Sequence, residues 1–376
     1  MKSKLKILSI VGTRPEVIKM APVIKELAKH PGRVESVVVV STAQHREMLD
    51  QTLGVFGIVP DVDLNLMRPN QTLAQITTAA VEAVERVLLK VKPDVVLVQG
   101  DTTTVFAASL AAFYCRIAVG HVEAGLRSFD RWNPYPEEIN RRLADVLADY
   151  YFAPTARARE NLLREGVPSE KVFVTGNTVV DALRYAASVP YEPHGREIKN
   201  ILDAPGRLVL VTAHRRENWN EPLANICDAF RELVGEFPDL NIVYPVHLNP
   251  KVRHTVQAKL KNVDRVHLIE PVDYLTLVHL MKRSHLVLTD SGGIQEEAPT
   301  FGKPVLVMRK VTERPEAAEA GLALIVGTDR NRIVAETRRL LTDEAAYRRM
   351  STAANPYGDG KAAERIVEVL LNRTIP

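Results

Sequence analysis

Short runs of β-branched and aliphatic residues recur along almost the whole chain, separated by longer stretches in which apolar residues return every three or four positions. KILSIVG, SVVVVST, DVVLVQGD, IAVGHVEAG, DYYFAP and VFVTGN read as strands in the first half, and RLVLVTAH, NIVYPVH, RVHLIEP, HLVLTDSGG, PVLVMR and LALIVG in the second. The spacing between them is helical. Across residues 71–91, for example, Leu73, Ile76, Ala80, Val84, Val87, Leu88 and Val91 fall on one apolar face. Strands that are apolar almost throughout have no polar face to offer water, so they are parallel strands covered by helices on both sides. The pattern predicts an α/β protein of two doubly wound, Rossmann-like domains facing each other across a cleft.

The rhythm loosens over residues 188–206, SVPYEPHGREIKNILDAPG, where three prolines, two glycines and many charges read as a linker or surface loop. A break near Gly176 is the other option, because a helix over 178–187 can bridge the halves. The expected domains are therefore residues 1–176 and 177–359. The last amphipathic helix, 360–376, has no strand after it and is expected to pack back on the first domain. A chain of 376 residues is also longer than one hydrophobic core usually serves.

Composition narrows the class. Hydrophobic residues at 46% and charged residues at 25% describe an ordinary globular protein, and a net charge of +3 without a basic run argues against nucleic acid as a partner. Apolar stretches stop short of the roughly 18 residues that a membrane helix needs, so no membrane partner is expected. The opening MKSKLKILSIVG passes straight into GTRPE and reads as a first strand rather than a leader. Cys115 and Cys227 are far apart and have no metal-ligand or disulfide spacing, which fits a reducing cytoplasm.

Open α/β sheets bind ligands beyond the carboxyl ends of their strands. Those positions carry Gly12-Thr13-Arg14, Gly100-Asp101 and His121-Val122-Glu123 in the first half; the second half adds His214-Arg215-Arg216, His247 and Asp290-Ser291-Gly292-Gly293. Each has a plainer reading. Asp101 can cap the helix that follows, Glu137 and Arg141 can be a surface pair at i and i+4, Ser291 can be a simple N-cap, and Arg14 and Lys19 can be solvated. Solvated groups have no reason to gather at one sheet edge, however, and this gathering favours a site. The glycines after Ser291 would let an anion approach a helix N-terminus, although a tight βα turn explains them equally well. No GxGxxG follows a strand, and neither GxxxxGK[ST] nor HExxH occurs; Tyr357-Gly-Asp-Gly-Lys361 matches a dehydrogenase pair only formally. His121 and Glu123 lack a third ligand nearby, so neither a metal nor a redox cofactor is expected.

The blocks VGTRPEVIKMAPVI, AQHREMLDQ, GDTTT, HVEAGLRS, NPYPEEINR, GNTVVDAL, TAHRREN, DSGGIQEEAP and TERPEA occur in order over residues 7–330. Together they resemble the non-hydrolysing UDP-N-acetylglucosamine 2-epimerases of bacteria. The resemblance implies a glycosyltransferase-B type fold, a homodimer, and interconversion of UDP-GlcNAc and UDP-ManNAc for cell-surface polysaccharide. It also implies that Asp101, Glu123 and Glu137 are catalytic carboxylates and that His214 is catalytic or contacts diphosphate. Arg14, Lys19, Arg141, Ser291, Gly292, Gly293, Glu297 and Arg314 would bind substrate. Glu296 remains without a role. Gln44, His45 and Arg68 match a region that in similar proteins forms an activating second site. A hydrolysing epimerase, a glycosyltransferase on the same frame and a nucleotide-sugar sensor are the rival readings; products, acceptor requirement and turnover separate them.

Overall fold

The computed structural model describes residues 4–42, 46–68, 70–193, 195–312 and 314–372. The chain divides into two compact units, Met1–Tyr185 with Tyr357–Pro376, and Ala186–Pro356.

In the first unit, strand and helix alternate from the start: β1 (Leu5–Val11), α1 (Arg14–Ala28), β2 (Val34–Ser41), α2 (Arg46–Phe56), β3 (Val62–Asp63) and α3 (Leu73–Val91). The order continues with β4 (Val95–Gln99), α4 (Thr103–Tyr114), β5 (Ala118–Val122), α5 (Glu137–Leu147), β6 (Tyr150–Ala153), α6 (Ala156–Arg164), β7 (Val172–Val174) and α7 (Thr178–Ser188), whose last residues, from Ala186 on, are counted in the second unit. The strands pair in the order β3-β2-β1-β4-β5-β6-β7, all parallel. The sequence order reverses between β1 and β4, so the turns that follow these two strands diverge and leave room for side chains.

The second unit repeats the plan with α8 (Arg196–Asp203), β8 (Arg207–Thr212), α9 (Glu221–Glu236), β9 (Leu240–Pro245), α10 (Pro250–Leu260), β10 (Val266–Ile269) and α11 (Tyr274–Arg283). It then adds β11 (Leu286–Thr289), α12 (Gly292–Glu297), β12 (Val305–Val307), α13 (Pro315–Glu319), β13 (Ala323–Ile325), α14 (Arg330–Thr342) and α15 (Glu344–Ser351). Its sheet runs β10-β9-β8-β11-β12-β13, again parallel. The final helix, α16 (Ala362–Asn372), belongs to the first unit and lies against α1.

Period-2 alternation within buried strands explains why both faces need cover. In the first sheet, Leu8, Ile10, Val96 and Val98 join the core on one side with Val84, Leu88 and Ala108 of α3 and α4. Ile7 and Leu97, the alternate positions, are just as buried. The second unit builds its own core from Val209, Val211, Phe230, Leu233, Ile242 and Tyr244. Fully burying one such side chain contributes about 1.5–3 kcal/mol.

Two features depart from the sequence pattern. Segment 188–206 is not only linker: α8 forms within it and buries Ile198 and Ile201, a two-residue apolar stripe that the flanking prolines and glycines obscure. The two-residue strand β3 is too short to register as a run.

Gly125, just past β5, has φ +85°, and a Cβ there would stand 2.2 Å from the carbonyl oxygen of Ala158 in α6. The close approach lets Asn161 of α6 donate to the Gly125 carbonyl at 3.0 Å. Gly125→Ala is expected to lower stability by about 2–5 kcal/mol, through left-handed strain added to overpacking. Urea unfolding checks this; a loss below about 1 kcal/mol would mean that α6 yields easily.

Candidate active site

The first turn of the first unit is fixed by a carboxylate that its sequence position disguises. Thr13 caps α1 and Glu16 completes a capping box, an ordinary device for satisfying helix N–H groups. Glu16 does more than cap. It is buried, accepts from Gly12 N at 2.5 Å and Thr13 N at 3.2 Å, and reaches across the switch point to accept from Thr102 Oγ1 at 2.7 Å. Thr102 is itself the cap of α4, so one carboxylate ties two helix starts together. Burial pushes Glu16 up to about 7; the hydrogen bonds from Thr102, Gly12 and Thr13 oppose this, and the charge of Asp101 adds to it. A Cβ at Gly12 would stand 2.4 Å from Thr42 Oγ1, so any larger residue there requires Thr42 or the turn to shift.

Around this turn lie the expected acids. Glu123 is buried at φ +70°, an uncommon conformation for a side chain other than glycine, and is held on both oxygens. Lys19 Nζ of α1 lies 2.6 Å from Oε1, and Gln99 of β4 donates to Oε2. Asp101 forms an ion pair with Arg141 of α5, whose other nitrogen lies 3.3 Å from Glu138. Glu138 is fully buried and accepts from the backbone N–H groups of Ser128 and Phe129, so of the two adjacent glutamates it is the structural one. Glu137 starts α5 half-buried, and its side chain makes no hydrogen bond among the described residues. Arg14 occupies the first position of α1, half-buried.

His121 closes this edge from below. Its Nδ1 lies 2.7 Å from Asp145 Oδ1 and its Nε2 lies 2.7 Å from the Gly100 carbonyl, so neither nitrogen is available to a metal. Among the described residues, no three or more His, Cys, Asp or Glu side chains form a metal-binding group.

In the second unit, Asp290 organises the strand ends. It is fully buried and accepts from His214 N at 2.9 Å, Arg215 N at 2.9 Å and Asn218 Nδ2 at 3.0 Å, which fixes the His-Arg turn after β8. The His214 ring stacks on His247 at 5.4 Å. Burial lowers the His214 pKa, with Asp290 partly opposing, so the ring is neutral at pH 7. Ser291 starts α12 with no side-chain cap of its own. Arg215 Nη2 comes within 3.7 Å of the Cβ position of Gly292, and Glu297 Oε1 is equally close to that of Gly293. Arg314 is paired with buried Glu296, which gives that glutamate its role.

Of the expected second-site residues, Gln44 and His45 lie outside the described residues. Arg68 is exposed on an open groove of about 710 Å³ shared with Asn65, Gln71, Gln75, Glu82 and Arg86. This groove has no residue in common with the carboxylate cluster.

Sequence reasoning missed Glu16, Gln99 and Asp145 as parts of the site, and it had His121, Arg215 and Asp290 only as members of strand-end motifs, without the partners that the structure gives them. The available signal was an acid or amide at the end of an apolar strand, or one helical turn after it, where solvation is lost.

A family model described as UDP-N-acetylglucosamine 2-epimerase matches residues 25–371. The chain belongs to this family. It is 55% identical to the UDP-N-acetylglucosamine 2-epimerase of Salmonella typhimurium, over 97% of this chain and 98% of that protein. The crystal structure of the Neisseria meningitidis UDP-GlcNAc 2-epimerase bound to UDP-GlcNAc superposes with a TM-score of 0.87 at 50% identity, covering 98% of this chain and all of the other. The S. aureus MnaA–UDP co-structure gives 0.85 at 51% identity, covering 97% of this chain and 96% of that one.

Glu16 yields a prediction about pH. Folded, it keeps its proton to about 7, against 4.5 for an unperturbed glutamate, so between those values the native state binds more protons than the unfolded chain. Stability therefore falls as pH rises through that window. Glutamine reproduces the protonated form, with its carbonyl accepting from Gly12 and Thr13 and its amide donating to Thr102. Glu16→Gln should flatten the stability slope between pH 4.5 and about 7 in urea titrations; an unchanged slope would mean that another group titrates there.

Proposed function

We propose that the protein interconverts UDP-GlcNAc and UDP-ManNAc without hydrolysis, supplying precursors for cell-surface polysaccharide. One observation carries the reading. Asp101, Glu123 and Glu137 stand on neighbouring elements at the carboxyl edge of one sheet, and two of them are held beside fixed cations. Support comes from the family's epimerases and from the N. meningitidis relative that holds UDP-GlcNAc.

C2 of an N-acetylhexosamine is not adjacent to a carbonyl, so its proton is barely acidic and simple deprotonation fails. Expelling UDP from C1 as the C2 proton leaves avoids the carbanion and gives a 2-acetamidoglucal. UDP then adds back while a proton arrives on the opposite face. Asp101 and Glu137 handle the C2 protons as base and acid. Glu123, held by Lys19 and Gln99, steadies the charge that develops on the ring. His214, Arg215 and the Ser291-Gly292-Gly293 turn receive the departing diphosphate, with Arg14 and Arg314 as further cations and Glu297 accepting from ribose hydroxyls. No redox cofactor enters this sequence of steps.

The protein acts as a homodimer in this reading. Support lies in the apolar side chains exposed along α3, α4 and α5: Leu89, Phe113, Tyr114, Leu143 and Val146. A site of this kind works in the cytoplasm, where nucleotide sugars are made.

Incubated with UDP-GlcNAc alone, the protein should form UDP-ManNAc and no free ManNAc, seen by NMR; an acceptor requirement or free sugar would point to a transferase or a hydrolase. Asp101→Asn and Glu137→Gln should each slow C2 hydrogen exchange with deuterated solvent by about 10²–10⁴-fold. Exchange at the unaltered rate in both variants would remove these residues from the proton transfer. Sedimentation velocity tests the dimer: a monomer at micromolar concentration would contradict it, and Val146→Glu with Phe113→Glu should produce one.

A further inference from the structure

The epimerase reading places three carboxylates on three elements, the β4–α4 turn, the end of β5 and the start of α5. These elements share one buried link. His121, in β5, is fully buried, and both ring nitrogens face acceptors: the Gly100 carbonyl, next to Asp101, and the Asp145 carboxylate on α5. A neutral imidazole has one N–H and can satisfy only one acceptor, whereas two acceptors at 2.7 Å require two N–H groups. Asp145 lies one helical turn beyond Arg141, on the same side of α5, and also accepts from Gly125 N at 3.2 Å, two residues after Glu123. Arg127 closes the network, 2.7 Å from Asp145 and 2.6 Å from Glu165.

We propose that His121 is a positioning residue for the reaction: as a buried imidazolium shared between Gly100 and Asp145, it locks the elements bearing Asp101, Glu123 and Glu137 into one arrangement and supplies a fixed positive charge beside them. The proposal rests on the epimerase reading for its consequence and on geometry alone for its premise. Burial by itself would neutralise His121, but the Asp145 charge and the two hydrogen bonds outweigh it and raise its pKa, while Arg127 opposes. The same pairing lowers the pKa of Asp145 against the effect of burial. A buried pair of this kind adds little net stability compared with apolar residues of similar shape, which leaves orientation as its main return.

Two measurements on the full chain test this. In ¹⁵N-histidine NMR, with the signal identified by its loss in His121→Asn, both ring nitrogens of His121 should show imidazolium shifts at pH 7; a neutral tautomer at that pH would overturn the premise, whatever the protein catalyses. In kinetics, Asp145→Asn keeps the shape but removes the charge that holds the ring. It should lower kcat by about 10²-fold, with C2 exchange falling in step and KM for UDP-GlcNAc within about twofold. Should that variant not fold, Asp145→Glu, which keeps the charge but displaces the ring, gives the same kcat-against-KM readout. Unchanged kcat in the folded variant, or kcat and KM shifting together in proportion to lost stability, would overturn positioning. Absence of epimerisation by the wild-type protein would instead defeat the functional reading and leave the NMR result standing.

Discussion

Acidic side chains brought to one edge of a sheet repel one another, and in a partly dry site that repulsion drives some of them to take up protons unless each has a counter-charge. The first unit answers with separate partners. Lys19 serves Glu123, Arg141 serves Asp101, and Arg127 with the His121 ring serves Asp145. Glu16 is held by backbone and hydroxyl donors instead, and its pKa is pushed up to about 7. Burial, with a smaller addition from the charge of Asp101, is what lets Glu16 hold a proton up to about 7.

The fold makes this pairing affordable in space. Parallel strands end together, so turns after β1, β4 and β5 bring residues from positions 12–19, 99–101 and 121–125 side by side. Helix α5 then adds Glu137, Arg141 and Asp145 from one face, because positions four apart are stacked along a helix. The second unit uses the same topology for the opposite electrostatic purpose: a single buried acid, Asp290, spends its oxygens on backbone N–H groups and so holds out a turn rich in cationic and ring nitrogen groups.

Much of this was legible in the sequence because it follows from period. The apolar runs and helical spacing specify the two parallel sheets, and the list of residues at strand ends already contained Asp101, Glu123, His214 and Ser291. What stayed hidden was which polar residue holds which. Glu16 reads as a capping-box glutamate, and nothing in a linear pattern reveals that it also crosses to Thr102, 86 residues away. Glu137 and Glu138 are indistinguishable as neighbours, yet one is fully buried against Ser128 and Phe129 and the other is not. Helix α8 was concealed because flanking prolines and glycines outweighed two apolar residues in an eight-residue segment. Partner choice is tertiary information.

The proposed reaction is reversible rupture of the bond between C1 and the diphosphate, coupled to proton movement at C2. UDP-GlcNAc carrying ¹⁸O between C1 and the β-phosphorus, incubated with the protein in deuterated water, tests this most directly. The expected result is deuterium at C2 of the UDP-ManNAc formed, together with migration of ¹⁸O into non-bridging positions of the recovered nucleotide sugar. UDP-ManNAc formed with the label still wholly in the bridge would show that C2 inverts while UDP stays attached, and would contradict it.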